Sequence, residues 1–85
     1  MEDVSIQFTE LVKTLSDDFI KSNFSKIDKQ KIALALKTID PKISERIFKN
    51  LSKNDSEEIK NKMSGVISIE EIETIQLEII KMIQK

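Results

Sequence analysis

The side chains with the most chemical capacity in this chain are charged. Glu57-Glu58, Lys60 and Lys62 crowd one short polar segment, Glu70-Glu71 and Glu73 follow it, and Lys37 closes an apolar run. Adjacent carboxylates could in principle divide acid and base roles between them. Here Glu71 has a simpler use, because Ser68-Ile69-Glu70-Glu71 fits a helix capping box. No loop has the converging oxygen ligands at the spacing that calcium or magnesium requires. The 85 residues contain neither His nor Cys. That removes the usual proton carrier at neutral pH, the commonest metal ligand, thiolate nucleophiles and disulfides. With no glycine-rich phosphate loop and no nucleophile elbow either, the sequence points away from enzymes and from any cofactor or metal. Binding and force transmission remain as classes of function.

Composition narrows the setting. The formal net charge is −1, with lysines and glutamates interspersed. Such a chain has no broad basic footprint for nucleic acid, which is therefore not an expected partner. No apolar run approaches the ~20 residues of a membrane span, and the N-terminus lacks the succession of a signal peptide, so a soluble, cytoplasmic protein is expected. A chain of this size has room for one domain, taken as residues 1–85, burying roughly 60% of its unfolded surface. One Gly and one Pro among abundant Ile, Leu, Lys and Glu favour helices joined by short connections.

The punctuation divides the chain into about six helices. Val4, Phe8, Leu11, Val12 and Leu15 recur at helical spacing, predicting a first helix from about Asp3 to Leu15 with Phe8 and Leu15 inward. Ser16 is the next cap, with Asp17 and Asp18 at the positive end of the dipole and Phe19, Ile20 and Phe24 as the apolar face. A third helix begins near Asp28. Its run Ile32-Ala33-Leu34-Ala35-Leu36 is apolar nearly all round, which marks it as central. Asp40-Pro41 is a strong helix start, with Ile43, Ile47, Phe48 and Leu51 as the following stripe and Asn50-Leu51-Ser52 as its stop. A polar fifth helix starts at Asn54 or Asp55, passes Ile59 and Met63, and ends near Gly65 in a left-handed cap. The last helix follows Ser68. Ile69, Ile72, Ile75, Ile79 and Ile83 mark one face, while Leu77, Ile80 and Met82 spread apolar surface beyond a single stripe, an excess that either packs a second neighbour or awaits a partner.

The order of these features resembles the C-terminal domain of FliG, the flagellar motor switch protein. Leu15 through Lys37 can be laid without gaps on the family's stretch leading into its Ala-Leu-Lys motif, here Ala35-Leu36-Lys37. Asp40-Pro41, Glu45-Arg46-Ile47-Phe48 and Asn50-Leu51-Ser52 continue the pattern. Gly65, Ile72, Ile75-Gln76 and Glu78-Ile79-Ile80 resemble its last long helix, reached after a shorter connection. Ile6 and Phe8 sit near the family's Met-Phe-Val-Phe hinge, which Ser5 and Gln7 copy poorly. The fold this implies is all-α, a compact bundle of about six short helices in an armadillo-like, right-handed stack.

The resemblance implies a non-enzymatic rotor domain of the switch complex. It would stand at the cytoplasmic face of the inner membrane, in the basal body, peripheral to the membrane through its partners. Charges on the fifth helix would meet the stator protein MotA and transmit torque, with FliM and neighbouring FliG copies as further partners. Matched position by position, Lys37 keeps the motif lysine, Glu57 an acidic position and Lys60 a basic one. Asn54 replaces an arginine, Asn61 and Lys62 replace two acidic residues, Ser68 replaces an arginine, and Thr38 and Val66 replace a glycine and a proline. Lys37, Glu57, Glu58, Lys60 and Lys62 are therefore the candidate stator-interface residues, in a divergent copy whose torque role is reduced. Each also has an ordinary explanation: Lys37 suits a helix C-terminus, and the others suit a solvated face. A regulatory or scaffolding adaptor resembling the N-terminal cytoplasmic domain of magnesium transporters is the alternative, since it shares the short helices and Asp-Pro-like starts.

Overall fold

The structure, a computed structural model, describes residues 3–65 and 67–84. Among them are six α-helices and no strand: α1 (Val4–Thr14), α2 (Asp17–Phe24), α3 (Lys29–Ala35), α4 (Pro41–Lys49), α5 (Lys53–Lys62) and α6 (Ile69–Ile83). The all-α expectation holds. All six starts are built alike, from an Asp or Ser side chain that accepts a hydrogen bond from a first-turn amide: Asp3, Ser16, Asp28, Asp40, Ser52 and Ser68. Helices this short leave a large share of their amides without an internal partner, so each cap stabilises its helix by about 1 kcal/mol. At α6 the serine half of the expected capping box forms, with Glu71 N–H donating to Ser68 Oγ over 3.2 Å.

Three boundaries or faces differ from the sequence reading. α5 begins at Lys53 with Ser52 as its cap, earlier than Asn54 or Asp55. The residue read only as the stop of α4 serves both helices: α4 unwinds as Leu51 N–H bonds back to Phe48 C=O, and extended Ser52 then caps α5. α3 does not continue through Leu36. The Leu36 amide is shared between the carbonyls of Ile32 and Leu34, and the chain tightens into a 3-10 turn over Leu36–Thr38. On α6, Ile69 is 65% exposed, and the buried face is Ile72, Gln76, Ile79 and Ile80. Ile69 is the first helical residue and overhangs the end of the packing, while Ile75 and Ile83 lie half-buried at the margin. Of the apolar residues beyond the isoleucine stripe, Ile80 packs into the core, one of the two roles open to them, while Leu77 and Met82 stay exposed.

The core joins Phe8 and Val12 of α1, Ile20 and Phe24 of α2, Ile32, Ala33 and Ala35 of α3, Leu36 of the 3-10 turn, Ile47 of α4, Ile59 of α5, and Ile79 and Ile80 of α6. Each large side chain here contributes about 1.5–3 kcal/mol through burial. α3 packs against both α5 and α6, as its all-round apolarity implies. Lys29, at the start of α3, pairs with Asp55 near the start of α5, and Lys37, past its end, reaches Gly65 past the end of α5. The two helices therefore run parallel. α6 runs antiparallel to α3, since Lys31 pairs with Glu78 while Gln76 bonds to Ala35. Gly65 has φ of 113°, the backbone region where glycine is favoured. The substitution read at Val66 lies outside the described residues.

A charged face on helix α5

α5 turns Ser56 and Ile59 inward and leaves most of its other side chains to solvent. Its composition dictates this, because only Ile59 is apolar among the ten residues of the helix. Ser56 is tolerated inside because its hydroxyl donates to the Phe48 carbonyl at the end of α4 over 2.8 Å, which satisfies the buried hydroxyl. That bond ties α5 to the end of α4.

The candidate residues divide among different surroundings. Glu58 and Asp55 both face Lys29 of α3, at 3.9 and 3.4 Å. Lys60 lies on the opposite flank, its ammonium 5.0 Å from the centre of the Phe48 ring, a cation–π distance. Glu57 is exposed, and Lys62 is half-buried near the end of the helix. Lys37 is half-buried, and its Nζ donates to the Gly65 carbonyl over 2.5 Å. The structure thus brings Lys37 to the connection following α5 and gives it a structural task there. It also splits the strip: Glu58 is engaged toward α3 and Lys60 toward α4. The ion pairs are partly exposed and individually worth up to about 1 kcal/mol.

Two positioning residues escaped the sequence reading. Arg46 of α4, half-buried, donates through Nη1 to the Val12 carbonyl at 3.0 Å and through Nη2 to the Leu15 carbonyl, and its Nη2 also lies 3.2 Å from an Asp17 carboxylate oxygen. Asn50 donates to the same oxygen at 3.1 Å. One guanidinium therefore closes the end of α1 and ties it to the start of α2. Gln76 of α6 is wholly buried. Its Nε2 donates to the Ala35 carbonyl at 2.8 Å and to Thr38 Oγ1 at 3.0 Å, while its Oε1 accepts from Ser5 Oγ at 3.0 Å. Ser5 and Thr38 hydroxyls meet at 2.7 Å. A glutamine on an isoleucine-rich stripe was the available signal for that site. For Arg46, sequence carries none, because its carbonyl partners lie more than 30 residues away.

No group of three or more His, Cys, Asp or Glu side chains among the described residues is arranged to hold a metal ion. No described helix is long and apolar enough to cross a membrane. The face of α5 offers weak contacts of mixed sign.

Comparison with known proteins agrees with that architecture. The family model of the FliG C-terminal domain matches residues 1–85. The chain is similar to the flagellar motor switch protein FliG of Borreliella burgdorferi, 35% identical over 78 residues that make up 89% of this chain and 23% of that protein. It is also similar to the flagellar motor switch protein FliG of Thermotoga maritima, 31% identical over 80 residues, which are 92% of this chain and 24% of that protein. The chain thus spans about a quarter of the length of these relatives, and a match over its whole length places it in the FliG C-terminal domain family.

Proposed function

We propose that the chain is a single, non-enzymatic rotor domain of the flagellar switch complex, a divergent copy that meets the stator protein MotA through the charged face of α5. The observation that carries this is α5 itself, a helix held by Ser56 and Ile59, most of whose remaining side chains form an exposed, mixed-sign surface. In this reading Glu57, Glu58, Lys60 and Lys62 supply the contact, and Lys37 fixes the connection at the end of α5 through Gly65. The domain works at the cytoplasmic face of the inner membrane, where FliM and neighbouring FliG copies are its further partners. A rotor must engage and release its stator repeatedly, and exposed charge pairs serve that cycle better than a dry apolar interface. The altered charges at Asn54, Asn61 and Lys62 reduce its share of torque.

The test is deletion of the encoding gene in its source organism, scored for filaments and for swimming. Filamented, paralysed cells support torque transmission, and absent filaments support rotor assembly. Normal swimming removes the chain from the essential motor. Complementation with the double reversal Glu58→Lys, Lys62→Glu then isolates the contact: a folded protein that fails to restore swimming supports it, and full restoration rejects it.

A further inference from the structure

Positive charge gathers at a second place. An open concavity of about 650 Å³ lies between α4 and α5, rimmed by Lys42, Lys49, Lys53 and Lys60 with Arg46 beside them. Against these five cations stands one carboxylate, Glu45, although the chain as a whole carries a formal charge of −1. Arg46 is committed to the end of α1 and Lys60 to the Phe48 ring. Among the described residues, Lys42, Lys49 and Lys53 have no carboxylate within salt-bridge distance. Lys42 and Lys49 are seven residues apart on α4, which places them two turns, about 10.5 Å, along one side of the helix. Half-buried Phe48 and Leu51 line the same concavity and give it an apolar patch.

Cations held this close repel one another until a partner supplies the opposite charge. We propose that this groove docks an acidic helical segment of another protein, with carboxylates meeting Lys42, Lys49 and Lys53 and one apolar side chain resting on Phe48 and Leu51. The same charge could attract nucleic acid, but the geometry favours a peptide. The groove is only about two helical turns long, Lys60 covers a face of the Phe48 ring and so denies it to a stacking base, and the apolar patch suits a side chain. Apart from Lys60, this surface uses none of the residues assigned to the stator contact, so the two readings stand or fall separately.

A fluorescently labelled synthetic peptide of Glu and Ala with one central Leu, titrated with the full chain and followed by anisotropy, tests the proposal. Binding should weaken as salt rises. Combined Lys49→Glu and Lys53→Glu should weaken it by at least about tenfold, with the circular dichroism spectrum retained, and replacing the peptide's Leu by Ser should weaken it as well. Glu57→Lys with Glu58→Lys should not weaken it, and Lys42→Glu provides a second reversal should the first pair fail to fold. Absence of binding, affinity indifferent to the groove reversals, or displacement of the peptide by a single-stranded oligodeoxythymidine would overturn the proposal.

Discussion

Gln76 shows how much one side chain can organise. Its two amide hydrogens go to the Ala35 carbonyl and to Thr38 Oγ1, which leaves the Thr38 hydroxyl proton for Ser5 Oγ and the Ser5 proton for Gln76 Oε1. Each hydroxyl in this closed ring donates once and accepts once, and the Ala35 carbonyl fixes which end of the amide is nitrogen. The ring joins α1, the 3-10 turn and α6 at the place where α3 stops being an α-helix. Replacing Gln76 with Leu keeps the volume but removes the amide that joins the Ala35 carbonyl to the Thr38 and Ser5 hydroxyls, so a loss of about 1–3 kcal/mol is expected. Thermal unfolding should then occur about 4–8 °C lower for each kcal/mol lost. A double-mutant cycle of Ser5→Ala and Thr38→Val should give a coupling above about 0.5 kcal/mol if the ring acts as a unit, and strict additivity would show that it does not.

At the level of elements, short helices depend on their ends, and the boundary of α5 can be tested directly. Ser52→Ala should cost about 1 kcal/mol in urea unfolding, whereas Asn54→Ala, at an exposed position inside the helix, should change stability by less than about 0.5 kcal/mol. The opposite ranking would return the cap to the later position. Local chemistry explains why most elements were legible in the sequence: Asp40-Pro41, Ser16 and Ser68 act within one turn, and the all-round apolarity of Ile32 to Leu36 announces a central helix. Legibility fails where a distant partner decides. Periodicity alone places Ile69 inside α6, but the buried face is centred on Gln76, whose polar atoms are satisfied by residues about 40 and 70 positions away. Consequently Ile69→Lys should shift stability by no more than about 0.5 kcal/mol, while Ile72→Lys, at 4% exposure, should unfold the chain. The candidate charges of α5 were legible as a polar segment. Their division between Lys29 and Phe48 was not, because it depends on α3 and α4 flanking α5.

For the molecule as a whole, stability and charge-mediated contact are carried by different residues. The described ion pairs Lys29–Asp55, Lys29–Glu58, Lys31–Glu78 and Lys13–Glu10 are about one-third exposed or more and add little to the fold. Arg46 is the exception, because it acts through backbone carbonyls as well as charge. Its fork reaches Val12 and Leu15 together, and a lysine ammonium on a single stem lacks that planar geometry. Arg46→Lys therefore preserves the charge beside the α4–α5 groove while breaking at least one of the two guanidinium bonds to carbonyls at the end of α1. An expected loss of about 1–3 kcal/mol would follow. Raising salt from low to physiological ionic strength should change the deficit of this variant by only a few tenths of a kcal/mol, since most of what is lost is hydrogen bonding to neutral oxygens. Urea titrations of both proteins at the two salt concentrations check this. A deficit that vanishes in salt would mean that the Asp17 ion pair, not the carbonyl clamp, holds α4 to the first two helices.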